Sequence, residues 1–182
     1  MIAGIDYSIS SPSICIHKNG IFNPSNCTFN FFALDKWRNR WSTLENVNCS
    51  KLPKNLEGIK KYIYLSDWVL DHLIWWNGRV ETVFLEDYAY AATGRVFHIA
   101  ENAGILKYKL KNFKTQTIPP TVIKKFATGK GNASKEDMLD AWKKEDGTFE
   151  LIQEQGNPAS DIIDSYFICK YGYYESNKRL QN

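Results

Sequence analysis

The chain has 182 residues, which is room for one domain with a substantial core. Apolar residues make up 43% and charged residues 24%, which excludes a disordered chain. A net charge of +3 excludes an extreme polycation or polyanion, and 14% aromatic residues can fill a core and still leave rings for a surface.

Residues 2–9 read as a buried strand, and Ser13–Lys18 as its hairpin partner after a Ser-Ser-Pro turn. Cys27–Leu34 gives a third strand. The polar, Asn- and Trp-rich stretch Asp35–Lys54 reads as a loop or insertion. Asn55–Trp76 has helical apolar spacing after Pro53, and Val80–Glu86 is a short apolar strand ending in acid. Gly94–Lys111 reads as a helix, Phe113–Ile118 as extended, and Pro119-Pro120 as the start of a short helix. Ser134 and Asp137 have the spacing of a capping box that opens a helix to about Lys144. Asn157-Pro158 supplies a cap and first position for a last helix to about Tyr174. Strands first and helices after make an α/β mixed sheet. No repeat or domain boundary interrupts it.

The four cysteines and three histidines are scattered, without the spacing of a zinc site. No apolar run reaches the ~20 residues of a membrane span, and the N-terminus has no signal-peptide pattern. A cytoplasmic protein with reduced, core-filling thiols is expected.

Charge is unevenly spread. Between Gly104 and Lys135 lie eight lysines and no acid; removing those eight from the 23 basic residues leaves 15 against all 20 acids elsewhere. A mildly basic chain is thus an acidic one with a basic segment. Such a segment suits a phosphate backbone, and it equally suits a solvated helix face.

Four acids sit where acids are costly. Asp6 lies in the first apolar strand and Glu86 closes the run Val-Phe-Leu. Asp161 and Asp164 share one face of the otherwise apolar last helix. Singly, each has a structural reading, such as a first-turn acid favoured by the helix dipole. Together they need cations, and hard oxygen donors favour Mg²⁺ or Mn²⁺. A pair of such ions serves phosphodiester cleavage.

The order of strand aspartate, strand glutamate, basic segment and Asp-x-x-Asp on a terminal helix resembles the RuvC-type Holliday junction resolvases of the RNase H-like superfamily. The pieces are Gly4-Ile5-Asp6, Phe84-Leu85-Glu86, the segment Gly94–Gly104, Lys124-x4-Gly129-x-Gly131-x3-Lys135 and Asp161-Ile-Ile-Asp164-Ser165. They cover about two thirds of the chain; residues 20–79 are divergent. The resemblance implies one RNase H-like domain over 1–182, with a mixed five-stranded sheet flanked by helices. It implies that Asp6, Glu86, Asp161 and Asp164 hold two Mg²⁺ (or Mn²⁺), and that Lys135 supports catalysis. Lys124, Lys125, Lys130 and Lys135 would contact DNA, and Gly129 and Gly131 would let amides approach a phosphate. The implied activity is metal-dependent cutting of four-way DNA junctions by a homodimer, with Gly94–Lys111 as the dimer surface.

The chain departs from the family's usual pattern in three places. Asp6-Tyr7-Ser8 replaces Asp-Pro-Gly, which resembles the smaller phage-encoded branch. Tyr166 stands where some members have histidine, implying all-carboxylate metal binding. Ala89 stands where the family places a stacking aromatic, leaving Tyr88 or the neighbouring Tyr90 to stack on a base. The cluster Trp37-Arg38-Asn39-Arg40-Trp41 admits two readings, contact with branched DNA or a loop folded onto the sheet. Two rival functions remain open: a junction-binding protein without catalysis, and an actin-like or sugar-kinase-type ATPase fragment sharing the Gly-Ile-Asp strand.

Overall fold

The computed structural model describes residues 1–75, 80–87, 96–151 and 157–180. Its centre is β1 (Ile2–Asp6), a strand whose Ala3, Gly4 and Ile5 are buried on both faces. On one side β1 pairs antiparallel with β2 (Ser13–His17), which pairs antiparallel with β3 (Cys27–Phe32). On the other it pairs parallel with β5 (Thr82–Glu86), which carries β6 (Lys114–Ile118) in parallel. A strand β4 (Val47–Ser50) adds parallel to the outer edge of β3. The sheet order is therefore β4-β3-β2-β1-β5-β6.

Among the described residues the sheet has six strands rather than the expected five. The extra one and a short helix α1 (Asp35–Trp41) both fall in the stretch read as a loop. Val-Asn-Cys-Ser has weak strand character, because an edge strand with one covered face needs few apolar residues. The seven-residue α1 is too short to show a helical period, yet it buries Trp41 against Phe31 and Phe149.

Side-chain alternation divides the core into two layers. Ala3, Ile5, Ile14, Val83 and Leu85 face α2 (Gly58–Trp75) and α3 (Val96–Lys109). Cys15, Phe29, Phe31 and Phe84 face the other way, toward α5 (Lys135–Lys143) and α6 (Ala159–Leu180). The helix α4 (Pro120–Thr128) packs beside these two. On α6, Ile162, Ile163, Tyr166, Phe167 and Cys169 are all buried, which explains its apolar stripe. Cys15, Cys27 and Cys169 are buried free thiols and Cys49 is half-buried. Among the described residues, no helix is long and apolar enough to cross a membrane.

Two glycines set how close α6 comes to the sheet. A Cβ on Gly4 would lie 2.2 Å from the Cys169 backbone nitrogen and 2.6 Å from the Ser165 carbonyl oxygen. One on Gly172 would lie 2.3 Å from the Phe84 ring. The helix therefore rests directly on the backbone of β1 at Gly4, two residues before Asp6. That contact fixes the height of α6 above the strand end.

Candidate active site

Parallel pairing of Ile5 with Leu85 brings the next residues, Asp6 and Glu86, to the same carboxyl edge of the sheet. In open α/β sheets this edge is where ligands bind. Alternation puts Asp6 on the face of Gly4, and Glu86 on the face of Phe84, so both look toward α6. With Ser165 and Cys169 seated on Gly4, the preceding turn of α6 carries Asp161 and Asp164 over that edge. Three separate elements thus deliver four carboxylates to one neighbourhood.

Hydroxyl groups lock this arrangement. Ser165 Oγ donates to the Ile162 carbonyl at 3.0 Å, which leaves Ser13 Oγ to donate to Ser165 Oγ at 2.9 Å. Both serines are fully buried, so the pair ties β2 to α6. The Ser8–Ser11 turn is closed by the Ser11 amide donating to Ser8 Oγ at 2.8 Å, and the Ser11 hydroxyl is near enough to Asp161 to favour its ionised form. Sequence reasoning missed Ser11 and Ser13 altogether. Serines in a Ser-Ser-Pro turn look like turn chemistry, and only the fold shows what they touch.

All four carboxylates are half-buried, open to solvent on one side. Burial is the main force on each, and it favours the neutral form. It raises Asp6 well above the usual carboxylate range, helped by the charges of Asp164, Asp161 and Glu86 and opposed by Lys135. Glu86 is pushed up to about 7 by burial and then by Asp164, with Lys124 opposing. Asp161 rises to about 6 through burial, with the nearby Ser11 hydroxyl and Lys135 opposing. Asp164 rises to about 6 through burial and Asp161, against Lys124 and Lys135.

Among the described residues, none of the four is in a salt bridge. Nor, among those residues, are three or more His, Cys, Asp or Glu side chains closed around a single point. The four share a neighbourhood without forming a finished cage. As a donor set they are all carboxyl oxygens, which suits Mg²⁺ or Mn²⁺.

The raised values predict a pH response. A carboxyl whose folded pKa exceeds its unfolded one stabilises the fold fully below about 4 and loses that contribution as pH rises through 6–7. The metal-free protein should therefore lose stability between pH 5 and pH 8 from these groups. Divalent ions need the ionised forms, so Mn²⁺ should raise the melting temperature more at pH 8 than at pH 5.5. Thermal unfolding with Mn²⁺ or EDTA checks this; an equal Mn²⁺ shift at both pH values would contradict it.

The eight lysines divide into two groups. Lys107, Lys109, Lys111 and Lys114 lie on α3, the turn after it and the start of β6. Because β6 is parallel to β5, its start lies at the sheet edge opposite the carboxylates. Lys109 is also engaged with Asp67 on α2. From the second half of the basic segment, Lys124 on α4 and Lys135 at the start of α5 lie near the acids. Both line a pocket of about 80 Å³ beside Asp164. Lys125 and Lys130 are exposed, and neither is among the groups that shift the four carboxylates.

Other expected site features fall differently. Gly129, at φ +83°, ends α4 with its amide donating to the Lys125 carbonyl at 2.8 Å, and the Lys130 amide donates to Thr128 Oγ1 at 3.1 Å. These amides close a helix end instead of facing a phosphate. Tyr166 is buried in the core, its hydroxyl donating to Glu145 Oε2 at 2.6 Å, so this position does not reach the carboxylates. Trp37 and Trp41 pack onto the sheet, and Arg40 pairs with Glu150 at 3.0 Å, which favours the structural reading of that cluster. Tyr88, Tyr90 and Trp76 lie outside the described residues.

No family model matches the sequence, and no curated protein does. Among solved structures, that of Thermus thermophilus RuvC matches with a TM-score of 0.65, at 15% identity, over 97% of this chain and 95% of that one. The T. thermophilus RuvC complex with a Holliday junction substrate matches with a TM-score of 0.66, also at 15% identity, over 97% of this chain and 94% of that one. At that identity the likeness is one of architecture, and the chain has a RuvC-like, RNase H-like fold along almost its whole length.

Proposed function

We propose that this chain is a metal-dependent, structure-selective DNA endonuclease that resolves four-way junctions. One observation carries the reading: four half-buried carboxylates from β1, β5 and α6 meet at the carboxyl edge of the sheet, and none, among the described residues, is in a salt bridge. A static cluster of that kind is unfavourable for folding, and function is the reason to retain it. The RuvC-like fold supports the same reading, since the T. thermophilus protein was solved with a Holliday junction substrate.

In this proposal Asp6, Glu86, Asp161 and Asp164 hold two Mg²⁺ ions, with Mn²⁺ able to replace them. When bound, such a pair activates water and neutralises charge on the departing oxygen. Lys135 and Lys124 offset the charge that builds on the phosphoryl group. Lys125 and Lys130, both exposed, grip the backbone farther out, and Tyr88 stacks on a base near the branch. Ser11 and the Ser13–Ser165 pair orient α6 and keep Asp161 and Asp164 aimed at the strand ends.

Symmetric cutting needs two sites, so the working unit is a homodimer. The exposed apolar side chains of α3, above all Phe97 (82% exposed) and Tyr108 (69%), supply a face for it. The test is incubation with a synthetic four-way junction and with linear duplex, in Mg²⁺ or EDTA. Paired nicks in the junction strands in Mg²⁺, and none in EDTA or in linear duplex, are expected. Junction binding without Mg²⁺-dependent cutting would sink the nuclease proposal.

A further inference from the structure

The divergent stretch forms a second concavity that the carboxylate chemistry does not use. A pocket of about 410 Å³ opens between the β1–β2 turn, the end of β3 and the segment between β4 and α2. Its volume falls in the ~300–1,000 Å³ range of small-ligand sites. Its walls are apolar: Phe32 and Ala33 form the inner side, Leu52 and Leu56 are half-buried, and Leu34 is 56% exposed. An exposed leucine beside half-buried ones marks a surface with more apolar area than the fold itself covers.

The rim is cationic. Lys51, Lys54 and Lys61 line the pocket with one acid, Asp35. Lys51 is paired with Asp35, whereas Lys54 and Lys61 make no salt bridge among the described residues. An apolar floor beneath two free ammonium groups matches a nucleotide whose base has left its stack, with the base inside and phosphates at the rim. A stacked duplex would meet the lysines but leave the apolar floor unfilled.

Position links the pocket to the carboxylates. Ser10 and Ser11 form part of its wall, and Ser11 is also close enough to Asp161 to favour its ionised form. The pocket and the carboxylates thus share the β1–β2 turn, which begins directly after Asp6. We infer that this pocket holds one unpaired nucleotide of the DNA strand next to the cut phosphate. This rests on the endonuclease reading, which it deepens by naming the substrate feature selected: a branch point with an unpaired nucleotide.

The test uses the full chain carrying Asp6→Asn, in Mg²⁺, so that DNA is bound and not cut. Two synthetic four-way junctions are compared, one fully paired and one with a single unpaired 5-bromodeoxyuridine at the branch. The expected result is about tenfold tighter binding of the second, the factor that 1.4 kcal/mol provides. Photocrosslinks should fall on residues 32–34 or 52–56. Leu56→Asp should bring the affinity ratio close to one, and so should Lys54→Glu at an exposed position where folding is not at issue. Equal affinity for the two junctions, a ratio that survives both substitutions, or crosslinks confined elsewhere would overturn the pocket. If the paired junction is bound, and cut by the wild type, only the pocket fails; if neither junction is bound, the endonuclease reading fails with it.

Discussion

Asp6→Asn is expected to abolish junction cutting while leaving junction binding intact. The charges of all three other carboxylates act on Asp6. Asparagine keeps the shape but removes one charge and half of the oxygen donors. A single member of a catalytic unit matters on a scale of at least about 10³-fold in turnover. The substitution has a second expected effect of opposite sign. It removes a desolvated charge and its repulsion with Asp164, Asp161 and Glu86, so the metal-free protein should melt at a higher temperature at pH 8. Activity lost with stability gained is the signature of a functional carboxylate; activity retained would exclude Asp6 as a ligand, and both lost together would indicate a structural one.

Gly4→Ala is expected to damage both the fold and the site from a position that touches neither ion nor DNA. The added Cβ would meet backbone atoms of Ser165 and Cys169 at 2.2–2.6 Å, and backbone cannot swing aside as a side chain can. Overpacking of this kind costs about 1–3 kcal/mol or more. For a chain of this size each kcal/mol lowers the melting temperature by about 2–4 °C. The relief available is for α6 to lift, which carries Asp161 and Asp164 away from Asp6 and weakens the Ser13–Ser165 lock. Cutting should then fall more than binding. A variant with unchanged melting temperature would show that the helix does not rest on the strand as described.

Much of this was legible in the sequence. β1, β5 and α6 announce themselves because each is buried, and burial writes long apolar runs. The four acids stand out against those runs for the same reason. The capping box at Ser134 and Asp137 forms as its spacing predicts, with both reciprocal bonds made. What stayed hidden is the chemistry of contact. The edge strand β4 and the short α1 carry too few buried residues to show a period. The Ser13–Ser165 bond joins residues 152 positions apart, and nothing local in either serine marks it. The eight-lysine segment looks like one patch in sequence, but strand direction sends half of it to the far edge of the sheet. Gly129 looks like part of a phosphate cradle because the left-handed geometry it adopts also ends helices, as it does for α4.

In the proposed function the four carboxylates converge on divalent cations. Anomalous diffraction from crystals grown with Mn²⁺ at pH 8, where Glu86, Asp161 and Asp164 are ionised, tests it most directly. Two anomalous peaks ~3.5–4 Å apart, ligated by Asp6, Glu86, Asp161 and Asp164, are expected. Saturating Mn²⁺ with no peak among these four side chains, or a peak held elsewhere on the chain, would contradict it.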